Sequence, residues 1–252
     1  MLAMENITSR KNRIICHLRS VASDADYRKE FSEFVCDGVK TLKEAMAAGM
    51  ELSCVLWKEK AADIVLPDTV PQYTAPAELF EYASPLRSSP GPVFTVKMPV
   101  FSLPDAPQRI MVLENVQDPG NVGTVLRTAN AFGTDAVILV GACADVYNPK
   151  TVRASMGAIF RQKVFDMSID ELRAYTLKRG LMLYGAAMSE KARDIRTLSL
   201  KKAAVAVGSE GRGLSKELLS VCDGELIIPM DQSAESLNAA VAASVIMWEM
   251  AK

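Results

Sequence analysis

The sequence predicts an α/β protein, with a parallel sheet in residues 101–252 and a smaller α/β domain in residues 1–100. Three observations carry that expectation. Strand-like and helix-like runs alternate regularly in the second part, the pattern of a parallel sheet covered on both faces. Six prolines (85, 90, 92, 99, 104 and 107) crowd the stretch between the parts, so no long helix crosses it and a boundary falls near residue 100. Three glycine-bearing or polar segments each follow an apolar run and lead into a helix-like one. That places them at the carboxyl ends of parallel strands, where such sheets bind ligands.

Before the boundary, Glu33–Asp37 reads as a short strand, Val39–Ala48 as a helix closed by Gly49, and Leu52–Trp57 as another strand. After it, the strand-like runs are Arg109–Leu113, Ala136–Val140, Leu181–Ala186, Ala203–Gly208 and Glu225–Pro229. The helix-like segments between them are Asn121–Phe132, Thr151–Phe160, Ile169–Lys178, Ser215–Val221 and Ser236–Met250. Gly133 and Gly180 stand where helices should stop. The last helix is apolar most of the way round. Leu237, Ala240, Val241, Ser244, Val245 and Trp248 form one stripe, and Ala239, Ala242, Ala243, Ile246 and Met247 lie opposite. Such a helix is buried on two sides: one is expected against the sheet, the other against a second copy of the chain.

The composition, 49% hydrophobic over 252 residues, suits a folded protein with a sizeable core. No apolar run approaches the roughly 20 residues of a membrane span, and the N-terminus lacks the basic start and apolar stretch of a secretory signal. Five cysteines (16, 36, 54, 143 and 222) are scattered without a Cys-x-x-Cys pair. They argue against a disulfide framework and a zinc site, and for the reducing cytoplasm. The one histidine, His17, lies far upstream of every motif and is expected on the surface of an N-terminal helix, so a histidine base is disfavoured. A net charge of −1 hides an asymmetry: residues 150–216 carry 14 Lys/Arg against 6 Asp/Glu, whereas residues 217–252 carry one lysine against six acids. A basic middle beside an acidic tail suits a protein that meets a polyanion through one face, although solvated helix faces would look the same.

The second of the three segments, Val207-Gly-Ser-Glu-Gly-Arg-Gly-Leu-Ser215, is a strand-to-helix turn whose glycines let the backbone approach a ligand closely, with Ser215 placed to cap the next helix. It has neither the Gly-x-Gly-x-x-Gly of a dinucleotide site nor the Gly-Lys-Ser/Thr of a triphosphate site. Glu210 within it would repel phosphates, so a ligand with a positive centre or ribose hydroxyls suits it better. In the first segment, Asn115 to Thr128, Asn121 reads structurally as a helix cap. Arg127, set among Val122, Val125, Leu126 and Ala129, would need a carboxylate or phosphate partner if buried; Glu210 and a nucleic-acid phosphate are both candidates. In the third, Ile228-Pro-Met leads through Glu235 to Ser236-Leu-Asn238. The strand end offers backbone groups suited to an adenine edge, and Ser236 reads structurally as a cap.

In this order the segments resemble the SpoU (TrmH) family of RNA 2′-O-ribose methyltransferases, part of the SPOUT superfamily. The matching runs are Asp118–Thr128, Gly208–Ser215, Ile228–Met230 with Ser236–Ser244, and Asn148-Pro-Lys with Arg153–Ala158. The resemblance covers residues 107–252 closely. Residues 24–98 resemble, more loosely, the family's N-terminal RNA substrate-binding domain. It implies a deep trefoil knot at the C-terminal end of the sheet and a homodimer whose partner completes each active site. It implies S-adenosylmethionine as co-substrate, held by Val207, Gly208, Ser209, Gly211, Ile228, Pro229, Met230, Ser236 and Leu237, with no metal. Asn121, Arg127, Glu210, Ser236 and Asn238 match the family's catalytic positions. Ribosomal RNA is the expected substrate, ahead of transfer RNA. A non-catalytic RNA-binding module of the same fold and a nucleotide-binding α/β enzyme such as a dehydrogenase are the alternatives. Arg10, Lys11, Arg13 and Arg19 could touch RNA phosphates or be merely solvated.

Overall fold

A computed structural model describes residues 4–59, 64–86, 89–231, 233 and 236–252. The chain divides into two compact units, Met1–Val100 with Tyr147–Phe160, and Phe101–Val146 with Arg161–Lys252.

The first unit contains β1 (Glu5–Asn6), α1 (Arg13–Ser23), α2 (Ala25–Phe31), β2 (Glu33–Asp37), α3 (Val39–Ala47), β3 (Leu52–Trp57), β4 (Gln72–Thr74), α4 (Ala77–Ala83) and β5 (Val93–Lys97). Its mixed sheet runs β1-β4-β3-β5-β2, with β5 antiparallel to both neighbours. One face buries Ile15, Leu18, Val21, Val35, Leu56 and Phe80 in a common core. Helix α1 is the N-terminal helix expected around His17; α2 and α4 have no counterpart in the sequence reading. At seven residues each, those two are too short for a 3.6-residue pattern to repeat. His17 lies on α1, but it is not a surface side chain. Nδ1 is 3.0 Å from the Tyr27 hydroxyl and Nε2 is 2.9 Å from Glu33 Oε2, and the side chain is 18% exposed. Folding of α2 back onto α1 covers it.

The second unit begins with β6 (Arg109–Glu114), α5 (Pro119–Ala131) and β7 (Ala136–Val140). Tyr147–Phe160, with α6 (Pro149–Ser155), belongs to the first unit, where Phe34 lies 4.8 Å from the Tyr147 ring and 6.1 Å from the Phe160 ring. The helix expected over Thr151–Phe160 stops at Ser155, because Met156 and Gly157 adopt positive φ (51° and 89°); a 3-10 turn, Ala158–Phe160, follows. The second unit resumes with β8 (Val164–Met167), α7 (Ile169–Arg179), β9 (Met182–Ala186), β10 (Arg193–Asp194), β11 (Ala203–Gly208), α8 (Lys216–Val221), β12 (Gly224–Ile227) and α9 (Ala239–Met250). Every pairing in its seven-stranded sheet, β10-β12-β9-β11-β6-β7-β8, is parallel. From β6 the next strands, β7 and β8, go to one side, and β11 takes the other. The chain therefore reverses direction between β6 and β11, which opens a crevice at their carboxyl ends.

Helix α9 buries Ala239, Ala240, Ala243, Ile246, Met247 and Met250, packing on α5, β6 and β11. Val241, Val245 and Trp248, spaced to share one face, remain 48%, 37% and 57% exposed. No helix among the described residues is long and apolar enough to cross a membrane.

Candidate active site

The crevice gathers all three segments. Asp118 caps α5, its Oδ1 accepting from Asn121 N at 2.8 Å, and Pro119 occupies the first turn, where a missing N–H costs nothing. Asn121 is thus not the cap that its position suggested, and its side chain is free to reach across. Its Nδ2 donates to Glu210 Oε1 at 2.6 Å. Asn238 Nδ2 donates to the same oxygen and, at 3.1 Å, to Asn121 Oδ1. Asn238 Oδ1 meanwhile caps α9, accepting from Ala240 N and Val241 N. Ser236, expected as that cap, caps nothing, because the helix starts three residues later than its pattern suggests.

Arg127 differs from expectation too. It is exposed on α5, forms no hydrogen bond or ion pair with any described residue, and is not the partner of Glu210, whose Oε1 is taken by the two asparagines. Six positions beyond Asn121, it stands roughly 9 Å further along the helix.

The loop bearing Glu210 is fixed at both ends. Buried Glu114, at the end of β6, accepts from Ser215 N at 2.7 Å and Ser215 Oγ at 2.6 Å, and Ser215 Oγ accepts from Leu218 N as the cap of α8. Gly208 must be glycine. A Cβ there would lie 2.1 Å from the carbonyl carbon and oxygen of Gly213, which the loop folds back against it, Gly213 N donating to Ser209 O at 2.8 Å.

Beside this loop lies a cavity of about 380 Å³, within the range of small-molecule sites. Of the residues assigned to the co-substrate, Val207, Gly208, Ser209, Gly211, Ile228, Met230, Ser236 and Leu237 line it; Pro229 does not. Ala186, Met188, Leu214, Leu219, Leu226 and Ala242 also line it; no motif in the sequence marks the end of β9 as part of the site. A second cavity, of about 670 Å³ and lined by Asn115, Gln117, Asp118 and Ala142, shares residues 209–214 with the first. Gln232, Ala234 and Glu235 of the third segment lie outside the described residues. Burial pushes the Cys143 thiol up and the Cys222 thiol up to about 12, so neither is a thiolate nucleophile at neutral pH. Among the described residues no group of three or more His, Cys, Asp or Glu could hold a metal ion.

Comparison with known proteins bears on this geometry. Residues 108–248 match the SpoU rRNA Methylase family. The chain is 29% identical to the 23S rRNA (guanosine(2553)-2′-O)-methyltransferase RlmP of Bacillus subtilis, over 98% of this chain and 99% of that protein. It is 30% identical to an uncharacterized tRNA/rRNA methyltransferase of Synechocystis, over 97% of this chain and 92% of that one. It superposes with a TM-score of 0.84 and 26% identity on the SpoU methyltransferase AviRb of Streptomyces viridochromogenes in complex with AdoMet, covering 95% of this chain and 98% of that one.

Proposed function

This chain belongs to the SpoU rRNA methylase family, and we propose that it methylates a ribosomal RNA ribose in the crevice closed by Glu210. It is an RNA 2′-O-methyltransferase with S-adenosylmethionine as methyl donor. That donor supplies an electrophilic methyl group on a sulfonium.

The residues present fit it. The 380 Å³ cavity has apolar walls at Leu214, Leu226 and Leu237, suited to a purine, and backbone at Gly208 and Ile228 for the purine's edge. Glu210 also lines it, and its carboxylate suits a positive centre. The adjoining 670 Å³ cavity admits the target nucleotide. Asn121, Asn238 and Ser236 position that nucleotide, and Glu210 orients the two asparagines, so that the 2′-oxygen is held in line for attack. Arg127, free of partners among the described residues, binds the phosphate beside the target ribose and lowers the hydroxyl's pKa through its charge. A guanidinium is a donor only and has no lone pair to accept a proton, so the hydroxyl proton passes to phosphate or water.

The knot and the homodimer belong to the same reading. Entry of β11 between β9 and β6 and the return of α9 onto α5 support the first; the Val241–Val245–Trp248 face supports the second. The first unit is read as the RNA-binding domain and the cytoplasm as the place of action. Preference for ribosomal RNA rests on the activity named for RlmP.

The joining of all three segments at Glu210 is the observation that most supports this function. The test is a map of 2′-O-methylation across total RNA from a strain lacking the protein. One ribosomal ribose is expected to lose its methyl group; an unchanged map of ribosomal RNA would refute the substrate.

A further inference from the structure

A second candidate site lies wholly within the first unit. A cavity of about 220 Å³ is bounded by the end of β2, the first turn of α3, Leu86, Pro90 and α6. Its walls are largely apolar, with Val35, Leu86, Pro90 and Val152 among them. The polar groups that line it include Asp37, Thr41, Ser89 and Arg153.

Asp37 sets its chemistry. The Ser89 hydroxyl donates to Asp37 Oδ2. Ser84 Oγ lies 3.3 Å from the same oxygen but 2.9 Å from Leu86 O; a hydroxyl has one proton, and the nearer carbonyl takes it. No described residue donates to Oδ1. A carboxylate offers about four acceptor sites, and on this partly exposed one Oδ1 stays open to a donor from a ligand or from water. Partial burial pushes its pKa up, against the weaker pull of the Ser89 hydrogen bond and of the Arg153 charge. Arg153 does not close the gap. It is exposed and forms no ion pair with Asp37.

A ligand complementary to these walls and to the carboxylate is small, flat, apolar on its faces and carries two adjacent N–H donors on one edge. Among nucleobases only guanine meets the last condition, through N1–H and the N2 amino group. Adenine and cytosine set a ring acceptor beside their amino group, and uracil flanks its one N–H with carbonyls. Proteins read single-stranded RNA in this way, by taking an unstacked base into an apolar slot and bonding its Watson–Crick edge. We propose that this cavity receives an unstacked guanine of the RNA substrate, held on Asp37, with Arg153 on the phosphate of the same nucleotide. The proposal rests on the RNA-methyltransferase reading above and gives the first unit a base-specific role within it.

A free guanine nucleotide offers the same ring, so the experiment separates the two sources. The full-length protein is titrated by fluorescence anisotropy with a short oligouridine carrying one central guanosine and with its adenosine counterpart. Saturation-transfer NMR with GMP, AMP, CMP and UMP runs in parallel. The guanosine oligomer is expected to bind about tenfold tighter than the adenosine one, and GMP alone of the four mononucleotides should give a signal. Asp37→Asn should abolish both preferences, and Arg153→Ala should weaken both oligomers while preserving their ratio. Should Asp37→Asn unfold, Pro90→Trp, which obstructs the cavity from an exposed position, should abolish the preferences instead. Equal binding of the two oligomers overturns the proposal, and a GMP signal alongside it would assign the site to free nucleotide. A guanine preference that survives both Asp37→Asn and Pro90→Trp overturns it as well. Calorimetry with S-adenosylhomocysteine on the same variants keeps the two readings apart, since wild-type affinity is expected in each, and loss of that binding in the unaltered protein would count against the enzyme reading alone.

Discussion

Asn121 donates to Glu210 at 2.6 Å across 89 positions of sequence, and the oxygen that receives it also receives Asn238. One carboxylate therefore sets the separation of two amides that arrive from different helices. Glu210→Ala should lower single-turnover methyl transfer by about tenfold or more, equivalent to roughly 1.4 kcal/mol of transition-state stabilisation. Glu210→Gln, which keeps an acceptor oxygen, should recover most of it. Turnover unchanged in Glu210→Ala would remove the carboxylate from the mechanism.

Two glycines of the same loop should respond differently to one added methyl group. Gly208→Ala would drive a Cβ into the Gly213 backbone and should cost at least about 2 kcal/mol, together with S-adenosylhomocysteine binding. Gly213→Ala meets open space and faces only the strain of φ +65°, about 1 kcal/mol. Urea unfolding and calorimetry check both, and equal costs would contradict the packing described.

Acid stability should depend on Glu33. Burial alone would raise its pKa, but hydrogen bonds from His17 and Lys97 outweigh burial and hold it at about 2 against an ordinary 4.5. A lowered folded-state pKa stabilises the protein above the unfolded value and loses that contribution as pH falls toward 2. The side chain is 7% exposed, so little is lost to solvent screening, and the contribution is about 3 kcal/mol. Urea unfolding of Glu33→Gln should show lower stability than the parent at pH 6 and a much smaller difference near pH 2. Parallel curves over that range would exclude this role.

The exposed face of α9 should hold two copies together. A Val245→Lys/Trp248→Lys variant should sediment at half the mass of the parent at micromolar concentration while keeping its helical signal. A parent that already sediments as a monomer would contradict the dimer.

Much of this was legible in sequence because the strands of a covered parallel sheet are continuous apolar runs. Ala136–Val140 is buried throughout and ends where expected. Edge strand β8 is partly exposed along its length and carries no such signal. The glycine loop was legible for a similar reason, since close approach of Gly208 to Gly213 tolerates nothing larger. Side-chain partners were not. Local rules assign Asn121 and Ser236 to helix caps, but Asp118 and Asn238 take those places. Only the fold shows that Asn121 is thereby released toward Glu210. Arg127 resembled a buried cation because its helix neighbours are apolar; its own position faces outward, a difference set by how α5 lies on the sheet.

The most direct test uses purified protein, ribosomal RNA from a strain lacking it, and S-adenosylmethionine labelled in the methyl group. After alkaline hydrolysis, which cannot cleave beside a methylated 2′-oxygen, the label should be recovered in resistant dinucleotides and should be absent from reactions with Arg127→Ala. Label in mononucleotides, marking a methylated base, or no label in RNA at all would contradict ribose methylation.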